Sequence, residues 1–229
     1  RADVRYTGLI LNERGYQRLR DTSLHEAGLV VPATDTFGKN NQGLTVEQGL
    51  SMAVEIIADG RQCGFPVQVT IAVAFGCPFE GEVPLSRIQN MAETLAAAGP
   101  VEIALADTIG VGVPMQVLRA FSALKQQLGE MPLRAHFHDT RNTGIANAYA
   151  ALTAGVDVLD ASIGGIGGCP FAPNASGNIA TEDLLYLLSR GGIEHGIDMQ
   201  RLIDGAAWLQ TVLGKSVPSM LLKAGGFPA

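Results

Sequence analysis

An α/β fold built from strand–helix units around a parallel sheet is the fold class this sequence predicts, on three observations. Short β-branched runs alternate with longer amphipathic segments, the connections between them are short, and the strand runs read as apolar on both faces. Alternation with short crossovers is the mark of βαβ units. Strands covered on both sides need apolar side chains on both sides.

The elements follow in order. Strands are expected at residues 5–11, 29–33, 67–74, 101–106, 133–138 and 156–161, each a short run rich in Val, Ile, Leu or Ala. Helices are expected at 13–21, 45–63, 85–98, 114–128 and 142–154. Thr45 and Pro114 stand at helix starts, while Gly64, Gly99, Gly129 and Gly155 stand just past helix ends, where a left-handed stop is needed. Two further helices, at 181–190 and 198–213, precede a polar, glycine-containing tail. Residues 38–43, Gly-Lys-Asn-Asn-Gln-Gly, read as a polar loop whose Lys39 meets either an anionic substrate or water. No linker or composition shift divides residues 1–229, so one domain is expected. Six strand–helix units are counted where a closed barrel needs eight. The chain is therefore either an open doubly wound sheet or a barrel without its first two units.

Composition excludes several functions. The 229 residues carry 16 Lys+Arg against 22 Asp+Glu, a net charge of −6, with no basic cluster, which argues against nucleic acid as a partner. No apolar run reaches the ~18 residues of a membrane span. Hydrophobic residues at 47% and charged residues at 17% are the reverse of a disordered composition. Three cysteines, Cys63, Cys77 and Cys169, suit a reducing compartment better than a disulfide scaffold. A cytoplasmic enzyme-sized protein is expected, or one of the mitochondrial matrix in a eukaryote.

Chemistry concentrates at a few strand ends. His136 and His138 share one face at the end of the fifth strand, because strand side chains alternate. Ligands bind at carboxyl ends of strands in this architecture. The pair is either two-thirds of a metal site or two hydrogen-bonded core histidines. Asp139 either orients an imidazole or caps the next helix. Four glycines between Gly164 and Gly168 exclude a helix or strand interior and leave a loop where backbone can approach a ligand. Cys169 at its tip is either an acid/base or nucleophilic thiol or a small buried hydrophobe. Asn178 precedes a helix and either caps it or offers an amide oxygen to a metal. Glu182 either complements the helix dipole or supports the site from behind. Asp107, ending an apolar strand, reads as functional, and Cys77 as structural. No dinucleotide or Walker spacing completes the glycine-rich loop.

These segments resemble the hydroxymethylglutaryl-CoA lyase family of metal-dependent TIM-barrel lyases. The likeness is carried by Phe75-Gly76-Cys77-Pro78-Phe79-Glu80-Gly81, Asp107-Thr108-Ile109-Gly110-Val111-Gly112 and His136-Phe137-His138-Asp139-Thr140. It continues through Gly165-Ile166-Gly167-Gly168-Cys169-Pro170-Phe171-Ala172, Ala175-Ser176-Gly177-Asn178 and Ala180-Thr181-Glu182-Asp183. The resemblance implies a (β/α)8 TIM barrel with about six of its eight units present, and residues 1–229 as a single lyase domain lacking the first two. It implies that His136, His138 and Asn178 bind a divalent cation, Mg²⁺ or Mn²⁺. Cys169 becomes the loop acid/base, Asp107 a catalytic-site carboxylate and Glu182 a support behind the site. The implied partner is an acyl-CoA substrate, cleaved to acetyl-CoA and acetoacetate, and a homo-oligomer is compatible. Two alternatives are a Claisen-type acyl-CoA condensing enzyme and a non-catalytic metal- or acyl-CoA-binding fragment. The family's first-strand Arg-Asp pair has no counterpart in this sequence, and Gln68 stands where the family tends to place a basic residue.

Overall fold

The structure, a computed structural model, describes residues 3–168 and 177–227. Among them β1 (Thr7–Ile10), β2 (Glu26–Pro32), β3 (Val67–Ala72), β4 (Glu102–Asp107), β5 (Leu133–Phe137) and β6 (Val158–Asp160) form one sheet. The helices between them are α1 (Glu13–Arg20), α2 (Asp35–Gln42), α3 (Val46–Cys63), α4 (Leu85–Ala98), α5 (Pro114–Leu128) and α6 (Gly144–Thr153). After β6 come α7 (Thr181–Arg190), α8 (Met199–Leu213) and α9 (Met220–Ala224).

Strand order decides between the two architectures. The strands lie in sequence order, and every neighbouring pair is parallel. A doubly wound sheet reverses its order at a switch point, whereas a barrel wall advances one strand at a time. The fold is thus a six-strand arc of a (β/α)8 barrel, with β1 and β6 as its two edges.

The two faces of the arc differ. Across the outer face, Leu29, Val69, Ile103 and Leu133 are neighbours in register, followed one layer up by Val31, Ile71, Leu105 and Ala135. All are buried, packed with Ile57 of α3, Leu95 of α4, Phe121 and Leu124 of α5, and Ala151 of α6. The inner face carries Glu26, Gln68, Glu102, Arg134, His136 and Asp160 instead. The expectation of strands apolar on both faces therefore holds only outside. Inside, charges are tolerated because they pair. Glu26, for example, accepts from the Thr7 hydroxyl at 2.5 Å and the Gln68 amide at 2.8 Å. That pairing is why β2 begins at Glu26, three residues earlier than its apolar run suggests. Phe121 is fully buried in the outer layer. Phe121→Ala is expected to lower stability by about 3–5 kcal/mol, read from a urea titration.

Two segments depart from expectation. Residues 38–43 belong largely to α2 and not to a loop. Phe37 anchors the helix in the core, Thr36 N–H donates to Glu80 Oε1 at 2.7 Å, and Gly43 ends it at φ 74°. Lys39 lies on this helix, exposed. The supposed polar tail contains α9, which docks on α7. The Asp183 carboxylate accepts from the backbone N–H of Met220 and Leu221 at 2.9 and 2.7 Å, supplying the capping oxygens that the tail's composition conceals.

Candidate active site

His136 is the fourth residue of β5 and His138 follows the strand's last residue. Their ring centroids are 5.3 Å apart. Residues 177–179 lie antiparallel along this strand end. Asp139 N–H donates to Gly177 O and Ile179 N–H to Phe137 O, which sets Asn178 opposite His138. The same segment pairs with the end of β6, where Ser162 N–H donates to Ile179 O and Thr181 N–H to Ser162 O. A side chain at Gly177 would sit 2.6 Å from Gly165 O, at φ 118°, so only glycine lets the strap lie this close.

The polar groups here are unequally satisfied. Asn178 donates its amide to Ile166 O at 2.9 Å and Gly167 O at 3.2 Å, while its buried Oδ1 has no hydrogen-bond partner among the described residues. His138 is buried, and its Nδ1 likewise has no partner. Burial, with the neighbouring His136 adding repulsion, pulls the His138 pKa down to about 4, so this imidazole is neutral at pH 7. His136 Nδ1 lies 3.3 Å from Asp160 Oδ2. Burial pushes the Asp160 carboxyl up, but the His136 hydrogen bond and the Arg134 guanidinium outweigh it and hold the group below the usual range.

Orphaned buried acceptors are rare and costly. Here an imidazole nitrogen and an amide oxygen are both orphaned beside a second imidazole. A divalent cation fits this set, since lone pairs of neutral imidazole and amide oxygen are its ordinary protein donors. Among the described residues no group of three His, Cys, Asp or Glu is placed to hold a metal, so the third protein donor would be the amide.

The remaining expectations fall as follows. Asn178 is not the helix cap, since the N-cap position of α7 is Ala180 and no side chain caps that helix. Asp139 takes the capping role, with Oδ1 accepting from Gly144 N–H at 2.8 Å at the start of α6. Glu182 is fully buried, and both of its oxygens accept from Gly164 N–H, at 3.0 and 3.1 Å. It therefore supports the glycine-rich loop at its origin. Asp107 is not brought to the imidazoles. It pairs in register with Phe137, on the outer face, and its carboxylate accepts from the N–H groups of Val111 and Gly112 at 2.9 Å each. Burial raises its pKa, partly offset by these backbone donors. Its contacts shape the β4–α5 loop, because strand parity turns the last residue of β4 away from the interior. Cys77 is buried and its sulfur accepts from the Thr34 hydroxyl at 3.0 Å, in keeping with a structural role. Cys169 lies outside the described residues. The residues on either side of its loop meet at Asn178, whose backbone N–H donates to Gly167 O at 3.1 Å.

Glu182→Ala would leave the Gly164 N–H buried and unpaired. A stability loss of about 1–3 kcal/mol is expected, with Glu182→Gln retaining most of it through one remaining acceptor. Thermal melts of both variants check this.

Sequence reasoning missed Asp160, Arg134 and Glu102. Arg134 donates from Nε to Glu102 Oε1 and from Nη1 to Asp160 Oδ1, the latter at 2.7 Å. The available signal was parity: Arg134 shares the face of His136, and a charge at that position inside a strand demands a partner.

Comparison with known proteins places the chain in a family. The HMGL-like family model matches residues 6–208. The chain is 41% identical over 221 residues to the (R)-citramalyl-CoA lyase of Chloroflexus aurantiacus, covering 96% of this chain and 70% of that one. It is 34% identical to the hydroxymethylglutaryl-CoA lyase YngG of Bacillus subtilis, covering 96% and 74% respectively. Among solved structures, an HMG-CoA lyase from Acinetobacter baumannii in complex with coenzyme A and 3-methylmalate superposes with a TM-score of 0.94 at 38% identity. That match covers 100% of this chain and 76% of that one. No described helix is long and apolar enough to cross a membrane. The relatives are lyases, and this chain is a carbon–carbon lyase belonging to the HMGL-like family.

Proposed function

We propose that this lyase cleaves the CoA thioester of a 3-hydroxy-3-methyl dicarboxylic acid, such as 3-hydroxy-3-methylglutaryl-CoA, to acetyl-CoA and a keto acid. The observation that carries the reading is the pair of orphaned acceptors, His138 Nδ1 and Asn178 Oδ1, beside His136. These three side chains would hold the cation, Mg²⁺ or Mn²⁺. When bound, such an ion supplies Lewis acidity for a carbinol oxygen and a template for a carboxylate.

The chain's own groups do the rest. Neutral His138 keeps its lone pair at working pH because burial denies it a proton. Asn178 ties the cation donors to the glycine-rich loop through Ile166 O and Gly167 O, and Glu182 fixes the start of that loop at Gly164. In the reaction the carbinol gives its proton to water, the C–O bond becomes a carbonyl, and the adjacent C–C bond breaks. The released electron pair passes to the thioester enolate. Cys169, carried on the loop, protonates the enolate carbon and leaves a thiolate; water later returns a proton to the sulfur, so protons balance. The acyl-CoA would be the partner, consistent with coenzyme A bound in the Acinetobacter relative.

The 41% identity to a citramalyl-CoA lyase favours a second substrate of the same class. Citramalyl-CoA bears its carboxylate directly on the carbinol carbon, whereas hydroxymethylglutaryl-CoA interposes one methylene. The chemistry is shared; the keto acid differs. Incubating the protein with each thioester and identifying the keto acid by mass spectrometry tests both. Acetoacetate or pyruvate accompanying acetyl-CoA is expected. Absence of acetyl-CoA from both substrates would contradict the proposal.

A further inference from the structure

We propose that Arg134 and Asp160 are positioning residues for His136: the guanidinium fixes the Asp160 carboxylate, which takes the His136 Nδ1–H and leaves Nε2 with its lone pair free for the cation. The inference rests on the cation reading above and extends it to residues that contact no substrate.

The register makes this arrangement. His136 and Asp160 are direct partners across β5 and β6, and Arg134 lies one layer below on the same face. Each Asp160 oxygen has its own partner. Oδ1 accepts from Arg134 Nη1 at 2.7 Å, and Oδ2 lies 3.3 Å from His136 Nδ1. Arg134 is held from its other side, since its Nε donates to Glu102, which is itself buried. The line Glu102, Arg134, Asp160, His136 thus runs across three adjacent strands, β4 to β6, and ends on an imidazole.

Neutralising Glu102 needs only one edge of the guanidinium. The second edge is spent on Asp160, which is half-buried and sits in a strand of three residues at the edge of the arc. Few other contacts would hold a side chain there. A planar fork can meet two carboxylates in fixed directions, which a lysine cannot do. The other imidazole is set differently: among the described residues His138 Nδ1 has no hydrogen-bond partner. Only His136 carries an orienting carboxylate, and fixing one ring nitrogen as a donor dictates what the other can do.

The test measures Mn²⁺ binding to the intact protein by electron paramagnetic resonance, alongside the imidazole ¹⁵N spectrum of the metal-free protein. In the wild type, His136 is expected as the Nδ1–H tautomer. Asp160→Asn, nearly isosteric, should mix the two tautomers and weaken Mn²⁺ binding by about 10–100-fold. Arg134→Met should weaken it comparably, with Arg134→Lys intermediate because it keeps one charge beside Asp160. If Arg134→Met fails to fold around the stranded Glu102, the double variant Arg134→Met/Glu102→Gln removes that charge and carries the same prediction. Wild-type affinity and a fixed tautomer in Asp160→Asn, with His136→Ala losing Mn²⁺, would overturn the positioning role alone. Wild-type affinity in His136→Ala would overturn the cation reading beneath it.

Discussion

Cys169→Ala is expected to lower acetyl-CoA release by roughly 10²–10⁴-fold, the range that loss of a positioned acid/base produces. Mn²⁺ affinity should stay at the wild-type level, because the three proposed cation donors lie outside residues 169–176. The two sides of that segment are tied together at Asn178, through its N–H to Gly167 O and its amide to Ile166 O. The described residues that flank the segment, Gly167 and Asn178, are therefore held together at the end of β5, where Asn178 lies opposite His138. Cys77 and Cys63 offer no substitute: Cys77 is buried against Thr34, and Cys63 ends α3 beside Asp59 on the far side of the sheet from His136. Steady-state kinetics with and without added Mn²⁺ separate the two effects. Normal turnover in the variant would remove Cys169 from the chemistry.

Asn178→Ala is expected to have the largest effect on cation binding, because this one side chain does two jobs. Its Oδ1 is the proposed cation donor, and its Nδ2 straps the glycine-rich loop through two carbonyls. Losing both should weaken Mn²⁺ binding by at least about 10–100-fold, which loss of a supporting contact alone produces, and should suppress turnover as well. Asn178→Asp separates the jobs. A carboxylate can still donate a lone pair but repels the carbonyls of Ile166 and Gly167. Mn²⁺ binding is then expected to survive while turnover falls. Equal retention of both in Asn178→Asp would show that the strap contributes nothing.

The alternation of parallel strands and helices was legible because its outer face obeys a simple rule, while the choice of barrel over doubly wound sheet came from the resemblance. Runs such as residues 101–106 and 133–138 are apolar where they meet helices, and glycines stop the helices that cover them. The span of α4, α5 and α7 is what capping and periodicity predict. Illegible from pattern alone were elements stabilised by distant partners. Asp35–Gln42 is polar enough to read as a loop, yet it is held as a helix by Phe37 in the core and by Glu80 from another segment. Met220–Ala224 is anchored by Asp183, 37 residues away from Met220. At the site, the two histidines were visible through strand alternation and their nearness at 5.3 Å follows from it. Asn178 read from the residues as either a helix cap or a metal donor, and the family resemblance implied the second. Asp107 was read as functional without its parity: an acid at a strand's carboxyl end faces the interior only if its parity matches, and Asp107 shares its face with Phe137. Applying the same parity to Arg134 would have pointed to Glu102 and Asp160.

The most direct test of the account is acetyl-CoA release by chelator-treated protein, with and without added Mn²⁺ or Mg²⁺, for the wild type and for His138→Ala. The wild type should be silent after chelation and regain cleavage of the proposed 3-hydroxy-3-methyl dicarboxylyl-CoA substrate when either ion is returned. His138→Ala should stay silent at concentrations that saturate the wild type. Undiminished release after chelation, or wild-type release from His138→Ala, would contradict it.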